Sequence, residues 1–163
     1  MAHEKQDEDG PFVADPIQNL AGHDAAISSV QFLDSELVRL TAAARDSKIG
    51  RYLVVSGAGS LEVAPGVRLV TTPGFPMAYK AEAAKGAEFL DLLRAEKELN
   101  WTFLSPSALF TAGERTGRFR LGTEQLLTAE DGKSWISFED FAVALADEIE
   151  RPAHIRQRFT VGY

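Results

Sequence analysis

The run Arg51-Tyr52-Leu53-Val54-Val55-Ser56-Gly57-Ala58-Gly59-Ser60 constrains the fold more than any other stretch of the chain. Leu53-Val54-Val55 is continuously apolar with no polar alternation, the pattern of a strand covered by helices on both faces of a parallel sheet. The strand empties at once into a glycine loop. In open α/β sheets, ligands bind outside the carboxyl ends of strands, and backbone without side chains there lets a ligand approach closely.

The rest of the chain repeats this alternation of helix and strand. Asp15-Pro16 suits a helix start and Gly22 its end. Residues 25–30 read as a strand. Asp34 or Ser35 then caps a helix through about Lys48, with Leu37, Leu40, Ala44 and Ile49 on one stripe. Residues 78–97 form the longest helical candidate, with Ala81, Ala84, Leu90 and Leu93 inward; its small residues Ala83, Ala84, Gly86 and Ala87 permit close approach. Trp101-Thr102-Phe103-Leu104 is the next buried strand. Residues 61–76 hold Pro65, Gly66, Pro73, Gly74 and Pro76 and read as an irregular surface excursion. Arg118-Phe119-Arg120-Leu121 alternates like a strand. Ala129-Glu130-Asp131-Gly132 reads as a turn between short strands at 125–128 and 134–137. Ser137 opens a helix to Glu150 as a capping box, with Asp140 in the acceptor's place, and residues 159–161 close the chain as a strand. The expected class is α/β, a mainly parallel sheet with helices on both faces.

A length of 163 residues with 45% hydrophobic side chains suits one compact domain. Residues 1–10 are too acidic and polar to bury themselves and are expected to form a mobile tail, leaving a single domain over 11–163. The net charge of −7, with no concentration of Lys and Arg, argues against nucleic acid as a partner. The most basic stretch, with Arg151, Arg156, Arg158 and His154, reads as a solvated connection. There is no cysteine, hence no disulfide, thiolate metal site or thiol nucleophile. The opening residues do not resemble a signal peptide, and no apolar run is long enough to span a bilayer, so no membrane role and a cytoplasmic location are expected.

Gly57-Ala58-Gly59 opens like a dinucleotide fingerprint, but Glu62 occupies its sixth position and a proline-rich loop follows where a helix N-terminus should receive the pyrophosphate. Gly132-Lys133-Ser134 resembles the end of a phosphate-binding loop, but Leu127 stands in place of its first glycine. His3, His23 and His154 lack any metal-ligand spacing, so no metal is expected. Ser28-Ser29, Gly57-Ala58-Gly59-Ser60 and Ser105-Pro106-Ser107 put small and polar residues at the carboxyl ends of three strands, which together make a crevice on one sheet edge. Tyr79-Lys80, at the start of the long helix, can supply a proton donor and a cation to that edge.

From Gly22 to Tyr163 the chain resembles atypical short-chain dehydrogenases of the NADH-flavin reductase type, related to the flavin reductase and biliverdin reductase B group. The resemblance is carried by Ala21-Gly22-His23-Asp24-Ala25, the stretch 51–66, Asn100-Trp101-Thr102-Phe103-Leu104-Ser105-Pro106 and Gly113-Glu114-Arg115-Thr116-Gly117. It continues through Gly132-Lys133-Ser134-Trp135-Ile136-Ser137-Phe138-Glu139-Asp140 and the end Arg158-Phe159-Thr160-Val161-Gly162-Tyr163. It implies a Rossmann sheet, an NADPH or NADH cofactor and a flavin as substrate rather than a tightly bound group. It also implies cofactor-facing roles for Ser28-Ser29-Val30, Gly57-Ala58-Gly59-Ser60 and Ser105-Pro106-Ser107-Ala108-Leu109-Phe110, the last stretch near the nicotinamide. Family members begin with a strand, glycine turn and helix that bind the pyrophosphate, whereas this sequence starts near the third crossover helix. The expectation is therefore the C-terminal portion of the family fold, with N-terminal strands missing and the strand at 25–30 exposed as an edge through which two copies could pair.

Short-chain dehydrogenases commonly use Y-x-x-x-K on the long helix, but Tyr79 is followed at that spacing by Ala83, with Lys80 and Lys85 out of register. Alcohol dehydrogenation is thus disfavoured, while hydride transfer to a flavin, which needs positioning more than a strong acid, stays open. Two readings follow. In the first, the chain is an NAD(P)H-dependent oxidoreductase reducing a flavin-like small molecule. In the second, it is a cofactor-deficient remnant acting as a binding, interaction or redox-sensing protein.

Overall fold

The computed structural model describes residues 19–33 and 36–163. The acidic tail, the Asp15-Pro16 helix start and the Asp34 or Ser35 cap lie outside them. In chain order the described elements are β1 (Ala25–Ser28), α1 (Glu36–Asp46), β2 (Arg51–Val55), β3 (Glu62–Ala64), β4 (Val67–Arg68), α2 (Met77–Ala95), β5 (Trp101–Pro106), β6 (Leu109–Thr111), β7 (Arg120–Gly122), β8 (Trp135–Ser137), α3 (Phe138–Glu150) and β9 (Gln157–Gly162).

The central sheet has the order β1-β2-β5-β9-β7, with the first four strands parallel and β7 antiparallel to β9. Its apolar residues divide by the two-residue period of the strand. Tyr52, Val54, Trp101 and Phe103 face α1 and α2, meeting Leu37, Ala44, Phe89, Leu90 and Leu93. Leu104, Phe159 and Val161 pack instead on Phe141 and Ala144 of α3. The apolar run of β2 is thus covered on both faces, as its composition predicts, and the fold is α/β with a mainly parallel sheet. β1 stands at one end of the sheet.

Several elements differ from the sequence reading. The 61–76 segment is not an irregular excursion: it contains the β3–β4 hairpin, for which Gly66 at φ 73 supplies the left-handed turn residue, and a 3-10 turn at Leu69–Thr71. The short strands expected on either side of 129–132 do not pair. Residues 125–126 run beside Glu62, with Leu126 donating its N–H to the Glu62 carbonyl, and β8 pairs in parallel with β6. Ala81 is exposed, and the buried stripe of α2 is Gly86, Ala87, Phe89, Leu90 and Leu93.

Ser137 caps α3, accepting the Asp140 N–H at 3.0 Å, but Asp140 does not return the bond of a capping box. Its fully buried carboxylate accepts from the Thr116 hydroxyl, the Gly117 N–H and the Tyr163 hydroxyl, fixing the loop after β6 and the C-terminal residue to the start of α3. Burial pushes this carboxyl upward, yet those three donors outweigh it and hold it below the usual carboxylate range. The basic stretch at 151–158 is not a solvated connection throughout. Arg151 and Arg156 are exposed, but the Arg158 side chain is buried and His154 stacks on Phe159 with ring centroids 4.3 Å apart.

β9 ends where close packing leaves no room for a side chain. A Cβ on Gly162 would stand 2.3 Å from Ser107 Oγ and 3.1 Å from Leu127 Cβ, and Ser107 is itself fully buried with its hydroxyl donated to the Val161 carbonyl. Gly162→Ala is therefore expected to destabilise the fold by about 1–3 kcal/mol, the usual cost of overpacking. A shift of the urea midpoint at unchanged slope is the measurement; an unshifted midpoint would show that β9 moves aside freely.

Candidate functional site

The carboxyl ends of β1 and β2 open into a cavity of about 630 Å³. Its floor is the glycine loop: Ser56 and the 3-10 turn at Ala58–Ser60 carry the chain off β2, with Gly57 in extended backbone at φ −107. A Cβ on Gly57 would meet nothing within 4 Å, so that residue faces open space. A Cβ on Gly59 would lie 2.7 Å from the Ala83 Cβ, so glycine there lets the loop seat directly on α2. The walls come from the loop after β1, from Leu69 and Phe75 before α2, and from Tyr79, Glu82, Ala83 and Gly86 on the first turns of α2.

Two devices hold this shape. On α2, the Glu82 carboxylate accepts the backbone N–H groups of Phe32, at 2.5 Å, and Leu33, at 2.9 Å. The Phe32 ring fits over Gly86, where a Cβ would come within 3.2 Å of it, and packs on Phe89 and Phe103. On the other side, Arg158 of β9 reaches the far end of the glycine loop. Its Nη1 donates to Ser60 Oγ at 3.1 Å, and its Nη2 donates to the Ser60 carbonyl and to Glu124. Glu124 also pairs with Arg94 of α2. Burial pushes the Glu124 carboxyl up, but the two guanidinium partners bring it below its ordinary range.

Of the residues expected from sequence, Ser29, Val30, Gly57, Ala58, Gly59, Ser60 and Ala108 line this cavity, as does Tyr79. The others stand elsewhere. Ser28, the last residue of β1, is buried and accepts a hydrogen bond from the Tyr52 hydroxyl at 3.1 Å. Ser105 and Ser107 are fully buried within the sheet, and Pro106 lies in the same buried strand. Leu109 is exposed, and Phe110 packs edge-on against Phe138 and against Phe141. Lys80 is exposed and outside the cavity lining. The sequence reading missed Gln31, Phe32, Leu69, Phe75 and Glu82. Ala83 and Gly86 carried a signal, since small residues in a long helix anticipate close approach, although not what approaches.

A nicotinamide ring fits the apolar walls and the open backbone at Gly57. A pyrophosphate finds no counterpart: among the described residues lining the cavity there is no Lys or Arg. The described residues lining the cavity thus offer apolar walls and bare backbone to a ring and no Lys or Arg to a pyrophosphate.

The profile of the NAD(P)H-binding family matches residues 13–152. YwnB of Bacillus subtilis is 45% identical over 120 residues, which cover 72% of this chain and 56% of YwnB. The match thus spans little more than half the length of that relative. Among solved structures, a candidate epimerase from Bacteroides thetaiotaomicron superposes with a TM-score of 0.87 at 38% identity, over 91% of this chain and 71% of the other. A candidate NADH-flavin reductase from Streptococcus pneumoniae superposes with a TM-score of 0.80 at 39% identity, over 90% and 74% of the two chains.

Proposed function

Because the chain belongs to the NAD(P)H-binding family, we propose that it acts as an NAD(P)H-dependent oxidoreductase that reduces a flavin-like acceptor, with both reacting rings in the cavity above β1 and β2. The observation that carries this reading is the Gly57–Ser60 loop, which presents bare backbone to an apolar cavity of about 630 Å³ at strand carboxyl ends. That volume is about twice the lower bound for small-molecule sites, which leaves room for two small rings in contact.

When bound, the reduced nicotinamide supplies the hydride. The chain's own residues position and shield. Val30, Phe32, Phe75 and Ala83 exclude water from the reacting faces, and Gly57 offers backbone that a side chain would otherwise cover. Glu82 and Arg158 fix the two loops from which those walls hang. Tyr79 brings a phenol to the cavity lining, and among the described residues no Lys lines the cavity to complete a Tyr-Lys acid. This matches a reaction limited by alignment rather than by proton donation.

The lack of a cation in the lining favours a second reading, a protein of the same family that binds a ligand without holding a dinucleotide. Titration with NADPH and NADH, followed by nicotinamide fluorescence, separates the two, with flavin then added to the same sample. Binding with a dissociation constant of about micromolar order and oxidation on flavin addition are expected. No binding at about millimolar cofactor would overturn the reductase reading and leave the second.

A further inference from the structure

We infer that the cavity selects an uncharged ring and gives no recognition to an anionic group, so that the acceptor is read by its ring and not by a phosphate. This rests on placing the acceptor in the cavity above β1 and β2.

The argument is one of charge inventory. Glu82 is the only charged side chain among the described residues lining the cavity, and both its oxygens are already taken by the N–H groups of Phe32 and Leu33. Its charge therefore serves the loop, and toward a second anion it is repulsive. The nearest buried cation, Arg158, lies behind the glycine loop and is committed to Ser60 and Glu124. What remains toward the cavity is uncharged: the Gln31 amide and the hydroxyls of Ser29 and Tyr79, which have no side-chain hydrogen-bond partner among the described residues, set among apolar walls. An amide and hydroxyls can exchange hydrogen bonds with ring carbonyl and N–H groups. A phosphate or carboxylate brought into these walls would lose its hydration without gaining a countercharge, which burial penalises heavily. Phosphate binding elsewhere uses Arg, Lys or a helix N-terminus. Here α2 starts after Pro76: Met77 and Ala78, whose N–H groups open the helix, do not line the cavity, the Tyr79 N–H is bonded to the Pro76 carbonyl at 3.1 Å, and Lys80, the basic side chain of the first turn, is outside the lining.

The test uses riboflavin and FMN, which share a ring and differ by a phosphate, titrated by quenching of flavin fluorescence with no nicotinamide present. The wild-type chain is expected to bind the two within about twofold, with little dependence on salt. A second protein, Gly74→Lys, places a cation on the cavity wall at a position where a Cβ meets nothing within 4 Å. It is expected to shift the preference toward FMN by about two- to fivefold, the scale of one solvent-screened ion pair, and to make that preference salt-sensitive. Wild-type preference for FMN of about tenfold or more, weakening as salt rises, would overturn the inference, as would failure to bind either flavin. Flavin binding without NAD(P)H oxidation would sink the proposed reaction and leave the ring selectivity standing.

Discussion

Replacing Glu148 with alanine is expected to lower the unfolding free energy by about 3–5 kcal/mol, the cost of stranding one member of a buried ion pair. The Glu148 side chain is 4% exposed, and its carboxylate collects four donors where the last turn of α3 gives way to the return into β9. Arg51 Nη2 approaches Oε1 at 3.0 Å, the His154 Nδ1 approaches Oε2 at 2.8 Å, and the N–H groups of His154 and Ala153 lie at 2.9 and 3.1 Å. Without it, Arg51 keeps only Thr102 Oγ1 as a side-chain partner, and its buried Nε already has none. The damage reaches the site, because Arg51 opens the strand that ends in the glycine loop.

The same cluster has a pH signature. Burial pushes the Glu148 carboxyl up, but the His154 ring and the N–H groups of His154 and Ala153 pull harder, leaving it below its ordinary value. A carboxyl depressed in the folded state binds its proton more weakly there than in the unfolded chain. Its contribution is therefore fully present above the unfolded value of about 4.3 and is lost as pH falls through the folded one. Chemical denaturation from neutral to acid pH should show a shallower acid limb in Glu148→Gln than in the wild type. Glu148→Ala within about 1 kcal/mol of the wild type, or an unchanged acid limb in Glu148→Gln, would show that the cluster contributes little.

What the sequence made legible follows from the range of each interaction. β2 was readable because three consecutive apolar residues leave no face for water, and α3 because Ser137 announces its cap locally. The cavity floor was readable for the same reason, since Gly57 and Gly59 lie next to the strand they leave. The walls were not. Phe32 and Glu82 are fifty positions apart, and nothing in either neighbourhood says that a helix carboxylate will satisfy a loop N–H. Arg158 was misread because composition cannot tell an arginine in water from one whose partners, Ser60 and Glu124, arrive from 98 and 34 residues away. Asp140 shows the limit within a motif: its position fits a capping box, but the Thr116 and Tyr163 hydroxyls compete for its oxygens and win.

The largest effect on function is expected from Gly57→Phe, which should reduce kcat/KM for acceptor reduction by about a hundredfold or more while leaving the fold intact. The two glycines of the loop separate space from strain. At Gly59, even a methyl group collides with Ala83 on α2, so any loss of activity there is confounded with displaced packing. At Gly57, φ is −107, a value any residue adopts, and a Cβ meets nothing within 4 Å. A phenylalanine can therefore occupy the cavity without backbone cost, and stability should change by less than about 1 kcal/mol. A ring in that space competes directly with a bound ring, and misplacing a reacting group by about 1 Å is already enough to cost about a hundredfold. The measurements are nicotinamide and flavin binding alongside a denaturation curve for the same preparation. Wild-type affinity for both ligands in a folded Gly57→Phe protein would place the binding site away from the glycine loop, whereas loss of both at unchanged stability ties ligand binding to the cavity above β1 and β2.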